Sequence, residues 1–192
     1  PFFINLWIHE PHTPFHTVPK YEWRFRNMES REDAIYASVL SHADDRVGAV
    51  LDALDRLKLT DNTLVIFSSD NGPARAAGPT ALTLHYDTAT GAGWGIGAAR
   101  GITGNRKGYK SALFEGGIGV PFIARWPGKI AAGKVDETSM ISAVDLLPTF
   151  CELGAAQMPE NYRPDGISQV ATLLGKPTAT RSTPLFWKMQ SP

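Results

Sequence analysis

The sequence predicts an α/β fold with a partly parallel sheet and flanking helices, from three consecutive segments. A short apolar run, Phe2 to Ile8, is followed by a long amphipathic stretch, Ser30 to Leu57, and then by a second apolar run, Thr63 to Ser68. Strand, helix, strand is the pattern of a βαβ unit, whose strands run parallel through a right-handed crossover. Such a unit brings the residues after Ile8 and those after Ser68 to one carboxyl edge, where open α/β sheets bind ligands. His9 to His16 and Asp70-Asn71 are therefore expected to be neighbours in space.

Each element has its own signal. Phe2 to Ile8 is short, apolar and closed by the turn formers around Pro11 and Pro14. Ser30 offers a helix cap, with Asp33 three residues on and Glu32 in the first turn. Apolar residues then recur at helical spacing at Tyr36, Val39, Leu40, Ala43, Val47, Val50, Leu51, Leu54 and Leu57. Asp44, Asp45, Arg46, Asp52 and Arg56 take the opposite face, and Asp61-Asn62 marks a turn. Gly72 to Gly108 is rich in Gly and Ala without a period and reads as a long loop. Val120 to Trp126 resumes strand character, and Val144 to Leu153 reads as a helix with Asp145 near its cap and Pro148 in its first turn. Gln169 to Leu174 suggests one short last helix.

Composition narrows the function classes. The chain has 192 residues with 19 Lys+Arg against 19 Asp+Glu, and 43% of it is apolar. That length and hydrophobicity suit one packed domain and exclude global disorder. A zero formal balance argues against a nucleic-acid-coating protein, whose affinity comes from excess cations on phosphates. No apolar run reaches the roughly 18 residues of a membrane span. One cysteine, Cys151, excludes an intrachain disulfide and a Cys-based zinc finger. Set among the apolar residues of a helix, it reads as core. Pro1 opens directly on a core-like strand, and the chain stops just after the strand-like Pro184 to Trp187, so both ends read as cuts through a larger protein.

Candidate chemistry lies in three places. His9, His12 and His16 fall within eight residues, but Pro11 and Pro14 forbid a helix that would align them as metal ligands. A polar loop and a functional loop both remain open. Ser69-Asp70-Asn71-Gly72-Pro73 follows a buried strand. It is either a plain Asn-Gly turn or a pair of oxygen ligands for a hard cation such as Ca²⁺. Lys107-Gly108-Tyr109-Lys110-Ser111 looks like a phosphate loop, but Tyr109 stands where Gly is required. Lys110 is left as a surface lysine or an anion contact. His42, Asp44 and Asp45 read as a solvated helix face, and His85 has no assignable role.

Together these segments resemble the sulfatases, formylglycine-dependent sulfuric ester hydrolases of the alkaline-phosphatase superfamily. The likeness starts at Pro1-Phe2-Phe3, then runs through His9-Glu10-Pro11-His12-Thr13-Pro14 and Ser69-Asp70-Asn71-Gly72-Pro73. Next come Lys110, Phe114-Glu115-Gly116-Gly117-Ile118, Val120-Pro121 and Arg125-Trp126-Pro127-Gly128. Asp145-Leu146-Leu147-Pro148-Thr149 and Asp165-Gly166 complete it. The blocks stand in the family's order over nearly the whole chain. Bacterial carbohydrate sulfatases and N-acetylgalactosamine-6-sulfatase-like members are the nearest in pattern.

The resemblance implies roles. His12 matches the histidine that contacts the sulfate ester and protonates the leaving oxygen, and Lys110 matches the lysine on a sulfate oxygen. Asp70 and Asn71 match two ligands of a divalent cation, most often Ca²⁺. The implied substrate is a sulfated small molecule or glycan, and the implied location is periplasmic, secreted or lysosomal. Two departures stand out. Gly119 occupies a position where the family usually has Arg, so a charged contact there is either missing or supplied from elsewhere. The Cys/Ser-x-Pro-x-Arg formylglycine motif is absent, as are the family's paired aspartates and its Lys-x-His pair. Residues 1–192 are accordingly expected to be part of the sulfatase catalytic domain, without the N-terminal nucleophile region and the small C-terminal sheet domain. Other readings are a phosphodiester or phosphonate monoester hydrolase of the same superfamily, and a non-catalytic binder of sulfated glycans.

Overall fold

In the computed structural model the described residues are 1–12, 15–16, 18–75, 100–177, 181 and 184–189. Thr13 and Pro14 of the histidine loop, His85 and most of the Gly- and Ala-rich stretch lie outside them. The chain divides into two compact units. One holds Pro1–Leu57, Ser68–Pro121 and Met189–Pro192; the other holds Lys58–Phe67 and Phe122–Lys188.

The first unit is organised by its long helix. α1 is a single turn, Pro19–Glu22, and α2 runs over Arg31–Arg56. Ser30 caps α2 as its sequence suggests: its hydroxyl accepts the Asp33 N–H at 3.1 Å, satisfying one of the helix's open donors. Glu32 and Asp33 face the positive end of the dipole, and Arg100 pairs with both at 3.5 and 3.2 Å. Ala34, Ile35, Ser38 and Val39 form one buried stripe at helical spacing. Ile35 and Val39 close on Phe15, with Val18 and Tyr36 packed alongside. Phe15 meets Tyr36 edge-on at 5.3 Å. Each fully buried side chain of this size contributes about 1.5–3 kcal/mol.

Two polar contacts, one of them an ion pair, extend that contact along the same helix. Glu10 meets His42 at 2.7 Å, and Lys20 meets Asp45 at 2.6 Å. The Tyr21 hydroxyl also donates to Asp45. His42 and Asp45 lie three residues apart, on one face. This corrects the reading of that face as merely solvated: it docks the loop that carries the histidines.

A second correction concerns the sheet. Residues 1–9 form no strand, and Phe2, Phe3, Ile4, Leu6 and Trp7 are each more than half exposed. An apolar run states what favours burial, not what buries it, and a strand satisfies its backbone only on a neighbour. The sheet of the described residues pairs β1, Val65–Ser68, with β2, Phe122–Arg125. At the end of β1, Ser68 Oγ donates to the Pro121 carbonyl at 2.9 Å, and beyond it Gly72 N–H donates to the Gly117 carbonyl at 2.8 Å. One chain advances as the other retreats, so this pair is antiparallel. The parallel βαβ pair is not formed among the described residues.

In the second unit, a turn of 3₁₀ helix, Ala143–Asp145, leads into α4, Leu146–Leu153, and α5 follows at Val170–Leu173. Asp145 is wholly buried and is the hub. Its carboxylate accepts from Ser142 N–H at 2.8 Å, from Ile167 N–H at 2.9 Å and from the Arg181 guanidinium. Burial pushes its carboxyl pKa up, but Arg181 and the two backbone donors outweigh that and hold it below the usual range. Gly166 lies against the Val144 backbone, where an added Cβ would come within 2.1 Å of the Val144 carbonyl oxygen. Two blocks of the family resemblance are thus architectural. Cys151 is half-buried on α4 rather than deep in a core.

The Lys20–Asp45 pair gives the fold a dependence on acid. The Lys20 ammonium first, and then Tyr21, hold the Asp45 carboxyl down to about 2 from its ordinary 3.8. A depressed carboxylate stabilises the fold above its unfolded value and loses that contribution as pH falls through the folded one. Urea midpoints of the native chain are expected to drop between about pH 4 and pH 2 more steeply than those of Asp45→Asn. Identical slopes would show that this exposed pair contributes nothing to stability.

Candidate functional site

The site is a set of backbone segments that approach one another more closely than side chains allow. After β1 the chain turns at Asp70-Asn71, and Gly72 meets the start of α3, Glu115–Ile118. A Cβ at Gly72 would sit 1.9 Å from the Gly116 carbonyl oxygen; one at Gly116 would sit 2.3 Å from that of Gly108; one at Gly117, 2.2 Å from that of Ala112. Gly108 itself has φ +89°, a left-handed conformation that side chains resist. Three backbone hydrogen bonds stitch the segments: Gly72 N–H to Gly117 O at 2.8 Å, Gly116 N–H to Lys107 O at 2.7 Å and Lys110 N–H to Pro73 O at 2.8 Å.

This frame fixes the residues of interest. Lys110 is anchored through its own N–H to Pro73, two residues beyond Asn71. Its Nζ lies 3.4 Å from His12 Nε2, bringing together residues 98 apart in sequence. His12 sits in a tight turn in which its N–H donates to the His9 carbonyl at 2.9 Å, and the two imidazole rings stand 5.6 Å apart. Between Asp70 and Asn71 the contacts are local. Asp70 Oδ1 accepts the Asn71 N–H at 2.9 Å, and the Ser69 hydroxyl braces the Asn71 carbonyl at 2.9 Å. Asn71 Nδ2 donates to the Gly72 carbonyl at 2.8 Å, so its amide oxygen lies on the opposite side of the group.

Chemically, the arrangement offers a cation and an imidazole converging on one point, in a frame that also carries a carboxylate and an amide oxygen. An anion is a ligand such a pair suits, because an ammonium and an imidazole N–H can both donate to its oxygens. Carboxylate and amide oxygens are the donors that hard divalent cations take. Two residues supply only part of the coordination of Ca²⁺, which takes about 6–8 oxygens. Among the described residues no cluster of three or more His, Cys, Asp and Glu side chains is placed to hold a metal.

Some contacts were not foreseen from the residues. Gly72 reads in sequence as a turn former, yet here it serves backbone contact. Two adjacent glycines opening a four-residue helix, Gly116-Gly117, are costly for a helix, and that cost was the signal of a close approach. At Gly119, where the family usually has Arg, the Arg106 guanidinium donates to the Gly119 carbonyl at 3.0 Å. A cation therefore does reach this turn, from a different position in the sequence.

Comparison with known proteins now decides the family. The family profile described as Sulfatase matches residues 1–156. This chain belongs to the sulfatase family. It is 31% identical over 183 residues to the N-acetylgalactosamine-6-O-sulfatase of Bacteroides thetaiotaomicron, covering 94% of this chain and 32% of that protein. Bovine arylsulfatase A is 33% identical over 187 residues, with 97% and 31% covered. Among solved structures, Ps i-CgsB in complex with k-i-k-neocarrahexaose superposes with a TM-score of 0.67 at 30% identity, covering 87% of this chain and 32% of that one. The chain thus spans about a third of the length of the relatives it matches. The likeness gives the fold as that of sulfatases, of which the antiparallel β1–β2 pair is the sheet seen here.

The glycine frame makes a testable demand. Gly116→Ala places a methyl against two backbone carbonyls and is expected to cost about 1–3 kcal/mol in urea unfolding. Gly48→Ala, on α2 with nothing within 4 Å, is expected to stabilise by about 0.5–1 kcal/mol. Equal effects of the two substitutions would contradict the close approach.

Proposed function

We propose that this chain is part of the catalytic domain of a sulfuric ester hydrolase and supplies the sulfate-contacting and metal-holding side of its site. The observation that carries the reading is the meeting of Lys110 Nζ with His12 Nε2, in a frame continuous with Asp70-Asn71. In this reading the Lys110 ammonium lies on a sulfate oxygen and offsets negative charge as the S–O bond breaks. The His12 imidazolium delivers its proton to the departing alkoxide oxygen, so the leaving group departs as a neutral alcohol. Asp70 and Asn71 would hold a divalent cation, with Ca²⁺ the best match to their oxygens. Bound there, it would supply Lewis-acid stabilisation of sulfate oxygens. Residues 1–192 contain no Cys/Ser-x-Pro-x-Arg motif, so the formylglycine nucleophile is proposed to come from elsewhere in a longer protein. A sulfated glycan is the substrate class we favour. A relative is named N-acetylgalactosamine-6-O-sulfatase, and a matched structure was solved with k-i-k-neocarrahexaose.

Two measurements test this. In the chain itself, inorganic sulfate is expected to perturb the His12 and Lys110 resonances, and Ca²⁺ those of Asp70 and Asn71. In the longer, formylglycine-bearing protein, His12→Ala is expected to lower turnover of an aryl sulfate about 10²–10⁴-fold, the usual worth of a general acid. Asp70→Ala is expected to lower both turnover and metal content. Native turnover in either variant would overturn its assigned role.

A further inference from the structure

We infer that His42 on α2 is a positioning residue for His12, acting through Glu10 and not by touching the site. The inference rests on the reading of His12 as a sulfate contact, and its geometry is independent of that reading. Glu10 Oε1 lies 2.7 Å from His42 Nδ1 across 32 residues, with both side chains partly buried. Glu10 belongs to the turn that His12 closes on His9, so fixing the Glu10 carboxylate fixes the turn from which the His12 imidazole projects. The apolar anchors of this loop, Phe15 and Val18, come after His12. Before it, residues 2–7 are exposed, and Glu10 makes the 2.7 Å contact with His42 on α2. The loop is therefore held on both sides of His12, by packing on one and by a hydrogen bond on the other.

Several facts suit Glu10 to that task. Burial pushes its carboxyl pKa up, but its own backbone N–H, His42 and His9 outweigh this and hold it below the ordinary value. It is thus an anion at neutral pH and a full-strength acceptor. The His42 ring also has a neighbour, 6.3 Å from that of Tyr21, which is buried and tied to Asp45 on the next turn of α2. The Glu10 contact thus links the histidine turn to a side chain carried on the long helix. Small displacements matter here: His12 Nε2 stands only 3.4 Å from Lys110 Nζ, and an oxyanion must meet both.

The test uses the purified chain and two separate readouts. Nuclear Overhauser contacts between the His12 imidazole and the Lys110 side chain report position without any ligand. Titration with inorganic sulfate reports the anion site. His42→Leu, with native circular dichroism, is expected to lose the His12–Lys110 contacts and to bind sulfate about tenfold more weakly, as removal of an orienting partner typically does. His42→Asn keeps a donor where Nδ1 stands and is expected to restore both. Unchanged His12–Lys110 contacts in His42→Leu would overturn the inference. If that variant fails to fold, Glu10→Gln takes its place: weaker contacts support the inference, and native contacts overturn it. Native chain that shows the contacts yet ignores sulfate would instead overturn the sulfate reading of His12, leaving the positioning role judged by the contacts alone.

Discussion

Backbone packed directly on backbone, at Gly72, Gly108, Gly116 and Gly117, is the constraint on which the rest of the site depends. Where two peptide planes approach to the point that a methyl would lie about 2 Å from a carbonyl oxygen, any residue other than glycine would force the segments apart. The hydrogen bonds that join them are then short and mutually consistent, between 2.7 and 2.8 Å. The loops that cross this frame are held by backbone contacts, although they have almost no regular secondary structure. The frame places a half-buried lysine opposite a histidine from another part of the chain. Lys110 has a long, flexible side chain, and anchoring its N–H to Pro73 removes the backbone contribution to that freedom.

The histidine side of the site is built differently. Here the anchors are side chains on the long, well-capped helix α2, with the Phe15, Ile35 and Val39 cluster at one level and the polar contacts of His42 and Asp45 at the next. Apolar packing provides most of the energy and the polar contacts most of the direction. Exposed pairs add at most about 1 kcal/mol, but they fix which way a loop turns. The two constructions meet at His12 and Lys110, so errors on either side enter the site geometry directly.

The blocks that resemble the sulfatase family divide by physical task. His12, Asp70, Asn71 and Lys110 carry groups suited to an anion and a cation. Gly72, Gly116, Gly117, Asp145 and Gly166 are there because backbones must touch or a buried turn must be satisfied. A motif reading gives both kinds the same weight, since both are equally recognisable as letters. Only their surroundings show that Asp145, a buried carboxylate with an arginine partner, organises its own unit through Ser142, Ile167 and Arg181.

What the sequence determined by itself was local. The cap at Ser30, the length of α2 and the helix after Asp145 were legible because each depends on contacts within a few residues, and the strands near Thr63–Ser68 and Val120–Trp126 were legible as short apolar runs, though not their pairing. The ordered motifs also identified the family, through identities spread along the chain. Tertiary structure decided what depends on partners distant in sequence. Phe2–Ile8 has the composition of a strand but forms none, and residues 2–7 lie exposed, because strand pairing needs a second backbone that composition does not name. His42 and Asp45 looked like solvent-facing residues until Glu10 and Lys20 were seen against them. The glycines looked like turn formers, and only a folded backbone shows that their missing side chains are where another chain segment passes.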